Sequence, residues 1–414
     1  MPTRPGSARD LVRSVGPEIV SSLSDNDPTN VGTAAAVGAH TGYALSWVAV
    51  LVAPLLAVVQ SIAAQLATVA RNDLQTLTKE RYGRGVAWLL LCSVVVVSVV
   101  TTAADLQAGA AGLGLLTGVD ARWFVVPLGV ALGALLVVGR YRHVVGVVRY
   151  LLVGFLAFGA AALLAHPDWP RLLRGSLVPS LSFHRDELVG VVALLGTTLT
   201  SYVYVWETVG RGVEERPDHP AVQLRRIRAG AVVGSVFTAL VLWLMVVASA
   251  ATLGAHHESV SSAADVARAL RPLAGSASSD LFAVGLVISA LVALPVLMAS
   301  TAYVVGAQFG WRRGLSEGIG SAPGFYGALV VSIGIALAVS LAHVSVVGML
   351  VVASVAGGLG TPVGLVLLVS LAGDHAVMGD RPISRRLRLA GWVVTAFMSA
   401  VGLLFLVGAL AGRL

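Results

Sequence analysis

The sequence predicts an all-α polytopic membrane protein of eleven transmembrane helices, built as two inverted five-helix repeats with one helix added. Three observations predict it. First, 57% of the 414 residues are apolar, only 12% are charged, and mean hydropathy is +0.86. That is far from the balance of a soluble domain, and runs such as Val86–Val100, Trp123–Val138 and Leu389–Leu410 have no place on a water-facing surface. Second, when the apolar segments are counted as alternating spans, 21 of the 28 Lys and Arg residues fall on the side of the N-terminus. This is the positive-inside bias, and it places the N-terminus in the cytoplasm of a cell-membrane protein. Third, the first and sixth apolar segments are interrupted by polar residues at equivalent places in two five-span halves of opposite orientation.

Taken in order, residues 1–16 carry Arg4, Arg9 and Arg13 without an apolar core and are read as a cytoplasmic tail, not a cleaved signal peptide. The first span, 17–40, is broken by Ser24-Asp25-Asn26-Asp27-Pro28-Thr29-Asn30. An aspartate at membrane depth costs roughly 2.5–3.5 kcal/mol on insertion scales, so two of them beside a proline point to a helix opened for a purpose. The second span, 43–69, carries Gln60 and Gln65, suited to hydrogen bonds between helices. Arg71–Arg84 reads as a short amphipathic inner segment at the headgroups.

The third span, 86–116, holds a second buried carboxylate, Asp105. The fourth (122–139) and fifth (144–165) are plainly apolar. An outer loop, 166–185, with Pro167, Trp169, Pro170 and Pro179 fits an interfacial cap. The sixth span, 187–210, has Gly196-Thr197-Thr198-Leu199-Thr200-Ser201-Tyr202 at its middle. The seventh (229–253), eighth (279–308) and ninth (324–342) follow. The tenth, 345–372, carries Gly357-Gly358-Leu359-Gly360-Thr361-Pro362, read as another break, and the eleventh, 389–411, is plainly apolar. The repeats are thus 17–165 and 186–373, with 374–414 an inner loop and the extra helix.

Several function classes are excluded. There is no HExxH, GxSxG or phosphate-binding Gly-Lys-Ser/Thr motif, so neither an enzyme nor ATP-driven transport is expected, and no cofactor. The net charge of +7 is topological and faces anionic lipid, so the partner is the bilayer and not nucleic acid. Cys92 stands alone and can form no intrachain disulfide. No histidine falls at mid-span. Trp47, Trp88, Trp123, Trp169 and Trp311 lie near span ends, as an aromatic belt does.

Two facing breaks put a binding site at the membrane midplane, where freed carbonyls and side-chain oxygens can hold a cation. Asp27 supplies the charge there. Asn30 is either a ligand or the N-cap of the second half-helix, and Thr197 and Thr200 either line the site or bond back to their own helix. Asp105 is a buried carboxylate with no obvious Arg partner in sequence, which leaves it a structural hydrogen-bond role. Glu207 lies seven residues past Thr200, about 10 Å along a helix, toward an inner vestibule or a solvated helix end.

Asp27-Pro28-Thr29-Asn30 resembles the Asp-Pro-Gly-Asn motif in the first helix of the Nramp family of divalent-metal transporters, with Thr in the Gly position. Ala104-Asp105-Leu106-Gln107-Ala108 resembles that family's third-helix Thr-Asp-Leu-Ala-Glu, with Ala108 replacing Glu. Pro295–Tyr303, Gly310-Trp311 and Gly373–Gly379 are similar to bacterial relatives too. The resemblance implies a LeuT-like 5+5 fold, a metal set of Asp27, Asn30, Thr197 and Thr200, and a place for Asp105 in a proton or water path.

Where the family has Ala-x-x-Met-Pro-His, this chain has Thr197-Thr198-Leu199-Thr200-Ser201-Tyr202. Thr200 thus replaces the metal-binding Met, and Tyr202 the proton-handling His; the sequence is closer to the Nramp-related magnesium transporters, which also lack the Met. A thioether favours Mn and later transition ions, whereas an all-oxygen set suits Mg²⁺, which keeps several waters around one or two carboxylates. The expected function is therefore uptake of Mg²⁺, or of Mn²⁺, by a monomeric unit through alternating access with little or no proton coupling. The alternatives are an H⁺-coupled Mn²⁺/Fe²⁺ symporter and an organic-solute transporter of amino-acid type.

Overall fold

The computed structural model describes residues 24–139, 155–164, 166–181, 185–214, 220–254, 276–342 and 346–410. Every described element is helical: α1 (Pro28–Thr41), α2 (Ser46–Ala70), α3 (Leu74–Thr117), α4 (Arg122–Val138), α5 (Leu156–Leu164), α6 (Trp169–Leu177), α7 (Arg185–Thr198), α8 (Ser201–Val209), α9 (Pro220–Ser249), α10 (Ser276–Phe309), α11 (Pro323–Ser340), α12 (Val346–Ala372), α13 (His375–Met378) and α14 (Arg385–Leu410). Each of the eleven expected spans coincides at least in part with one of them. Among the described residues seven helical stretches are long and apolar enough to cross a bilayer, and Arg122–Val138 and Ala356–Ala372 are shorter apolar ones. The N-terminal tail and residues 17–23 lie outside the described residues, as does most of the fifth span.

α1 and the pair α7 and α8 sit at the centre. α1 packs on α7, α9, α3, α10 and α12, and α8 on α2, α3 and α10. α10 runs along α3, where Gly109 leaves no room for a side chain beside Ala290: an added Cβ would lie 2.6 Å from the alanine Cβ. Such small-residue seams let membrane helices approach closely.

Gly38 does the same for α1. A Cβ there would meet the carbonyl of Val246, and would lie 2.8 Å from the Ser249 Oγ and 3.1 Å from the Ala250 nitrogen. Ser249 in turn donates to the carbonyl of Ala35, just before α9 widens into the π-helical turn Ala250–Gly254. Since the neighbour is backbone, it cannot rotate away. Gly38→Val is expected to cost about 1–3 kcal/mol by overpacking, read as a lowered melting temperature in detergent.

Two local expectations change. The tenth span is a continuous helix, not a broken one. Pro362 deprives the Gly358 carbonyl of its helical donor, but the kink-prone stretch is held from outside. The Ser93 hydroxyl donates to the Gly360 carbonyl at 2.8 Å, and the Tyr204 hydroxyl to that of Thr361 at 3.1 Å. Segment 71–84, expected at the headgroups, packs one face on protein, with Asp73, Leu74, Gln75, Leu77 and Thr78 buried and 80–84 exposed. Asp73 caps α3 by accepting from the Thr76 amide at 2.9 Å. Gly83, with φ 84°, separates this first stretch from the spanning part of α3.

Arg313, in the loop after α10, donates to Asp73 Oδ2 at 2.6 Å and to the Thr76 hydroxyl at 2.7 Å. Lys79 caps the C-terminal end of α10 by donating to the Gln308 carbonyl at 2.7 Å. Arg81 pairs with Asp374 at 2.5 Å, and the hydrogen bond from its guanidinium holds the Asp374 carboxyl below the ordinary range. Gln65 links elements as expected: it accepts from Arg228 at 2.7 Å and donates to the Arg381 carbonyl at 3.4 Å. α6 forms a short cap over α2, with Leu172 buried and Trp169 half-exposed. Trp243 and Trp47 fasten this cap through the Ser176 hydroxyl and the Ser180 carbonyl.

Candidate functional site

The site grows from a complete accounting of backbone groups in the first break. Residues Asp25–Asp27 are non-helical, which frees carbonyls that water cannot reach. Each finds a donor. The Ser24 carbonyl accepts from the Tyr202 hydroxyl at 2.9 Å, and that of Asp25 from Asn30 Nδ2 at 2.9 Å. The Asn26 carbonyl accepts from the Ser289 hydroxyl, and that of Asp27 from the Val31 amide at 3.0 Å. The first turn of α1 is equally settled. Pro28 has no N–H to satisfy, the Thr29 amide donates to Asp105 Oδ1 at 2.9 Å, and the Asn30 amide to Asp27 Oδ1 at 2.6 Å. Irregular backbone at membrane depth is tolerated where the protein supplies such partners.

In the sixth span the helix stops at Thr198 and restarts at Ser201, with Thr200 extended (φ −77°, ψ 150°). The C-terminal carbonyl end of α7 and the N-terminal end of α8 therefore both meet the first break. This is the arrangement in which half-helix termini present partial charges to a ligand.

The sequence-predicted residues take distinct places. Asp27 is fully buried; Oδ1 caps α1 and Oδ2 accepts from the Tyr202 hydroxyl at 2.9 Å. Asn30 clasps both breaks. Its Oδ1 faces the hydroxyls of Thr197 and Thr198 at 3.1 and 3.0 Å, while its Nδ2 holds the Asp25 carbonyl. Thr197 also has the Ala193 and Leu194 carbonyls within reach, at 2.9 and 3.2 Å. Its single proton is thus shared between its own helix and Asn30. Thr200 is buried with its hydroxyl unpartnered. Asp105 accepts from both the amide and the hydroxyl of Thr29 through one oxygen, leaving Oδ2 without a partner.

Tyr202 bridges the two breaks through its hydroxyl, reaching a position 175 residues earlier in the chain. Glu207 does not stand open to an inner vestibule. It is fully buried and accepts from Arg211 Nε at 2.7 Å, because the π-helical turn Gly210–Glu214 swings Arg211 over it.

One residue escaped the sequence reading as a member of the site. Asp25, in the same acidic stretch, is fully buried and neither carboxylate oxygen has a hydrogen-bond partner. It faces the Thr200 hydroxyl without reaching hydrogen-bonding geometry and lies within electrostatic range of Asp27. Its position two residues before the recognisable motif was the available signal.

Chemically, the breaks assemble carboxylate, hydroxyl, amide and carbonyl oxygens. No sulfur or imidazole stands among these groups. No group of three or more His, Cys, Asp or Glu side chains gathers in metal-binding geometry among the described residues. A cation here would be held by one or two carboxylates and neutral oxygens.

Comparison with known proteins follows the same lines. A family model described as "Natural resistance-associated macrophage protein-like" (Nramp) matches residues 18–408. The chain is 28% identical to the divalent metal cation transporter MntH of Deinococcus radiodurans, over 96% of this chain and 90% of that protein. It is 26% identical to MntH of Aeromonas hydrophila, covering 88% of each. Its fold is similar to the crystal structure of the Eremococcus coleocola manganese transporter in complex with an aromatic bis-isothiourea substituted compound. There the TM-score is 0.76 at 18% identity, over 97% of this chain and 88% of that one. It is also similar, with a TM-score of 0.55 at 16% identity over 94% and 90%, to Mhp1, a nucleobase-cation-symport-1 family transporter.

Proposed function

The chain belongs to the Nramp family, and on that premise we propose that it imports hard divalent cations, Mg²⁺ before Mn²⁺, without moving protons. It acts as a monomeric unit in the plasma membrane with its N-terminus in the cytoplasm, by alternating access about the broken first and sixth helices. An inside-negative potential supplies the drive, roughly 4.6 kcal/mol per 100 mV for a doubly charged ion. The cation is held by Asp27, with Asn30, Thr197 and Thr200 as neutral oxygens.

The observation that carries this reading is Thr200. It stands where the family resemblance puts a methionine, and its buried hydroxyl is unpartnered and turned toward a carboxylate. A hard oxygen in place of a soft sulfur moves preference from late transition ions toward Mg²⁺. Tyr202 supports the absence of coupling. A phenol titrates near 10 in water and so is a poor substitute for an imidazole in proton exchange at neutral pH. A second reading, an H⁺-coupled Mn²⁺ symporter, draws on the unpartnered oxygen of Asp105 and on the manganese transporter among the similar structures.

The test is uptake into proteoliposomes with an internal pH dye. The expected result is Mg²⁺ entry driven by an inside-negative potential with no acidification, and Mn²⁺ entry suppressed by excess Mg²⁺. Acidification that tracks metal entry would establish the second reading. Mn²⁺ uptake indifferent to a large Mg²⁺ excess would overturn the Mg²⁺ preference.

A further inference from the structure

Around the first break the backbone groups are satisfied one by one, which makes an unsatisfied side chain conspicuous. The four carbonyls from Ser24 to Asp27 each have a donor, and so do the first-turn amides of α1 and both oxygens of Asp27. The Asp25 carboxylate, with no exposed surface at all, has none on either oxygen. No lysine, arginine or histidine is paired with it among the ion pairs of the described residues.

A buried carboxylate left unsatisfied is among the costliest features a fold can carry. It persists where something outside the polypeptide completes it. Among the groups that act on it are the Thr200 hydroxyl, itself unpartnered, and the Asp27 carboxylate, which is in electrostatic range. Only Asn26 separates Asp25 from Asp27, so their Cα atoms lie no more than about 7 Å apart, within the reach of one partly hydrated ion.

We propose that Asp25 is a second carboxylate ligand of the transported cation, facing Thr200 across it, so that the site holds a divalent ion between two aspartates. This rests on the function proposed above and deepens it. Asp27, held by the Asn30 amide and the Tyr202 hydroxyl, is the oriented carboxylate; Asp25 is the one free to turn its oxygens onto an ion or its bound water. Two carboxylates neutralise a 2+ charge, leave a monovalent ion in a net negative site, and match the one or two that Mg²⁺ takes while keeping waters. The Asp25 backbone contributes separately, since its carbonyl is fixed by Asn30 whatever the side chain does. An amide at position 25 therefore removes the charge without removing the scaffold.

The experiment compares the full chain in detergent, wild type against Asp25→Asn, Asp25→Glu and Asp27→Asn. Mn²⁺ binding is followed by electron paramagnetic resonance, Mg²⁺ by competition, and melting temperature is recorded with and without metal. Asp25→Asn should weaken Mn²⁺ and Mg²⁺ binding at least tenfold, and should shrink the melting shift that metal produces. It should also melt higher than wild type when metal-free, because it relieves the unsatisfied charge. That opposite sign is one that mere misfolding cannot give. Asp25→Glu should bind with intermediate strength.

Binding by Asp25→Asn within twofold of wild type would overturn the proposal. So would an altered pH dependence of uptake at unchanged affinity, which would make Asp25 a proton carrier. If Asp27→Asn lost binding while Asp25→Asn kept it, the proposed function would stand and this inference alone would fall. If the wild type bound neither ion, both would fall.

Discussion

Replacing Asp27 by alanine is expected to reduce metal uptake by roughly 30-fold to several thousand-fold, corresponding to about 2–5 kcal/mol for deleting one partner of a buried charged contact. Three losses combine at this position. The negative charge goes, the Asn30 amide loses the cap it reaches at 2.6 Å, and the Tyr202 hydroxyl loses a carboxylate at 2.9 Å. Losing a cap alone is worth about 1 kcal/mol, so most of the effect must come from charge. Asp27→Asn separates the two contributions, since the amide oxygen can still accept from Asn30. Uptake by Asp27→Asn should fall nearly as far as by Asp27→Ala, measured as initial rates into liposomes at matched protein content. Near-normal transport by either variant would show that the charge at position 27 is dispensable.

The second large effect is one of stability. Asp73 is 3% and Arg313 16% exposed at the side chain, and their contact at 2.6 Å joins the start of α3 to the loop beyond α10. Arg313→Ala leaves the aspartate buried with only the Thr76 groups to hold it, and breaking such a pair costs about 3–5 kcal/mol. Its melting temperature should fall clearly below that of wild type. The double variant Asp73→Asn, Arg313→Ala should recover part of the loss, because the stranded charge is gone. Unchanged melting of Arg313→Ala would mean that the Thr76 contacts suffice.

How much of this was legible beforehand depends on whether the determining contact is local. The spans were legible because apolar length and loop charge are one-dimensional properties of the chain. Asp27 was legible because a carboxylate beside a proline at membrane depth is conspicuous without any partner in view. Asp25 stood in the same stretch, yet its distinction from Asp27 lies in which oxygens are satisfied, and that depends on Tyr202 and Asn30 meeting across the breaks. The tenth helix was misjudged because glycine and proline punctuate a chain locally, whereas Ser93 and Tyr204, which hold its carbonyls, come from other helices. The Glu207–Arg211 contact was within reach of the sequence, being four residues apart on one helix. The charged loop that follows it suggested solvent instead.

The side chain of Asn30 works as a rivet between two rods, α1 and α7. One end is set in the Asp25 carbonyl and the other between the hydroxyls of Thr197 and Thr198, 167 and 168 residues along the chain. Neither rod can tilt by itself while the rivet holds. Any rocking that bares the midplane first to one side and then to the other must carry both rods as one lever, or shear bonds worth about 1 kcal/mol each. A few kcal/mol is a threshold that thermal motion crosses readily, on the microsecond-to-millisecond scale of collective helix movements.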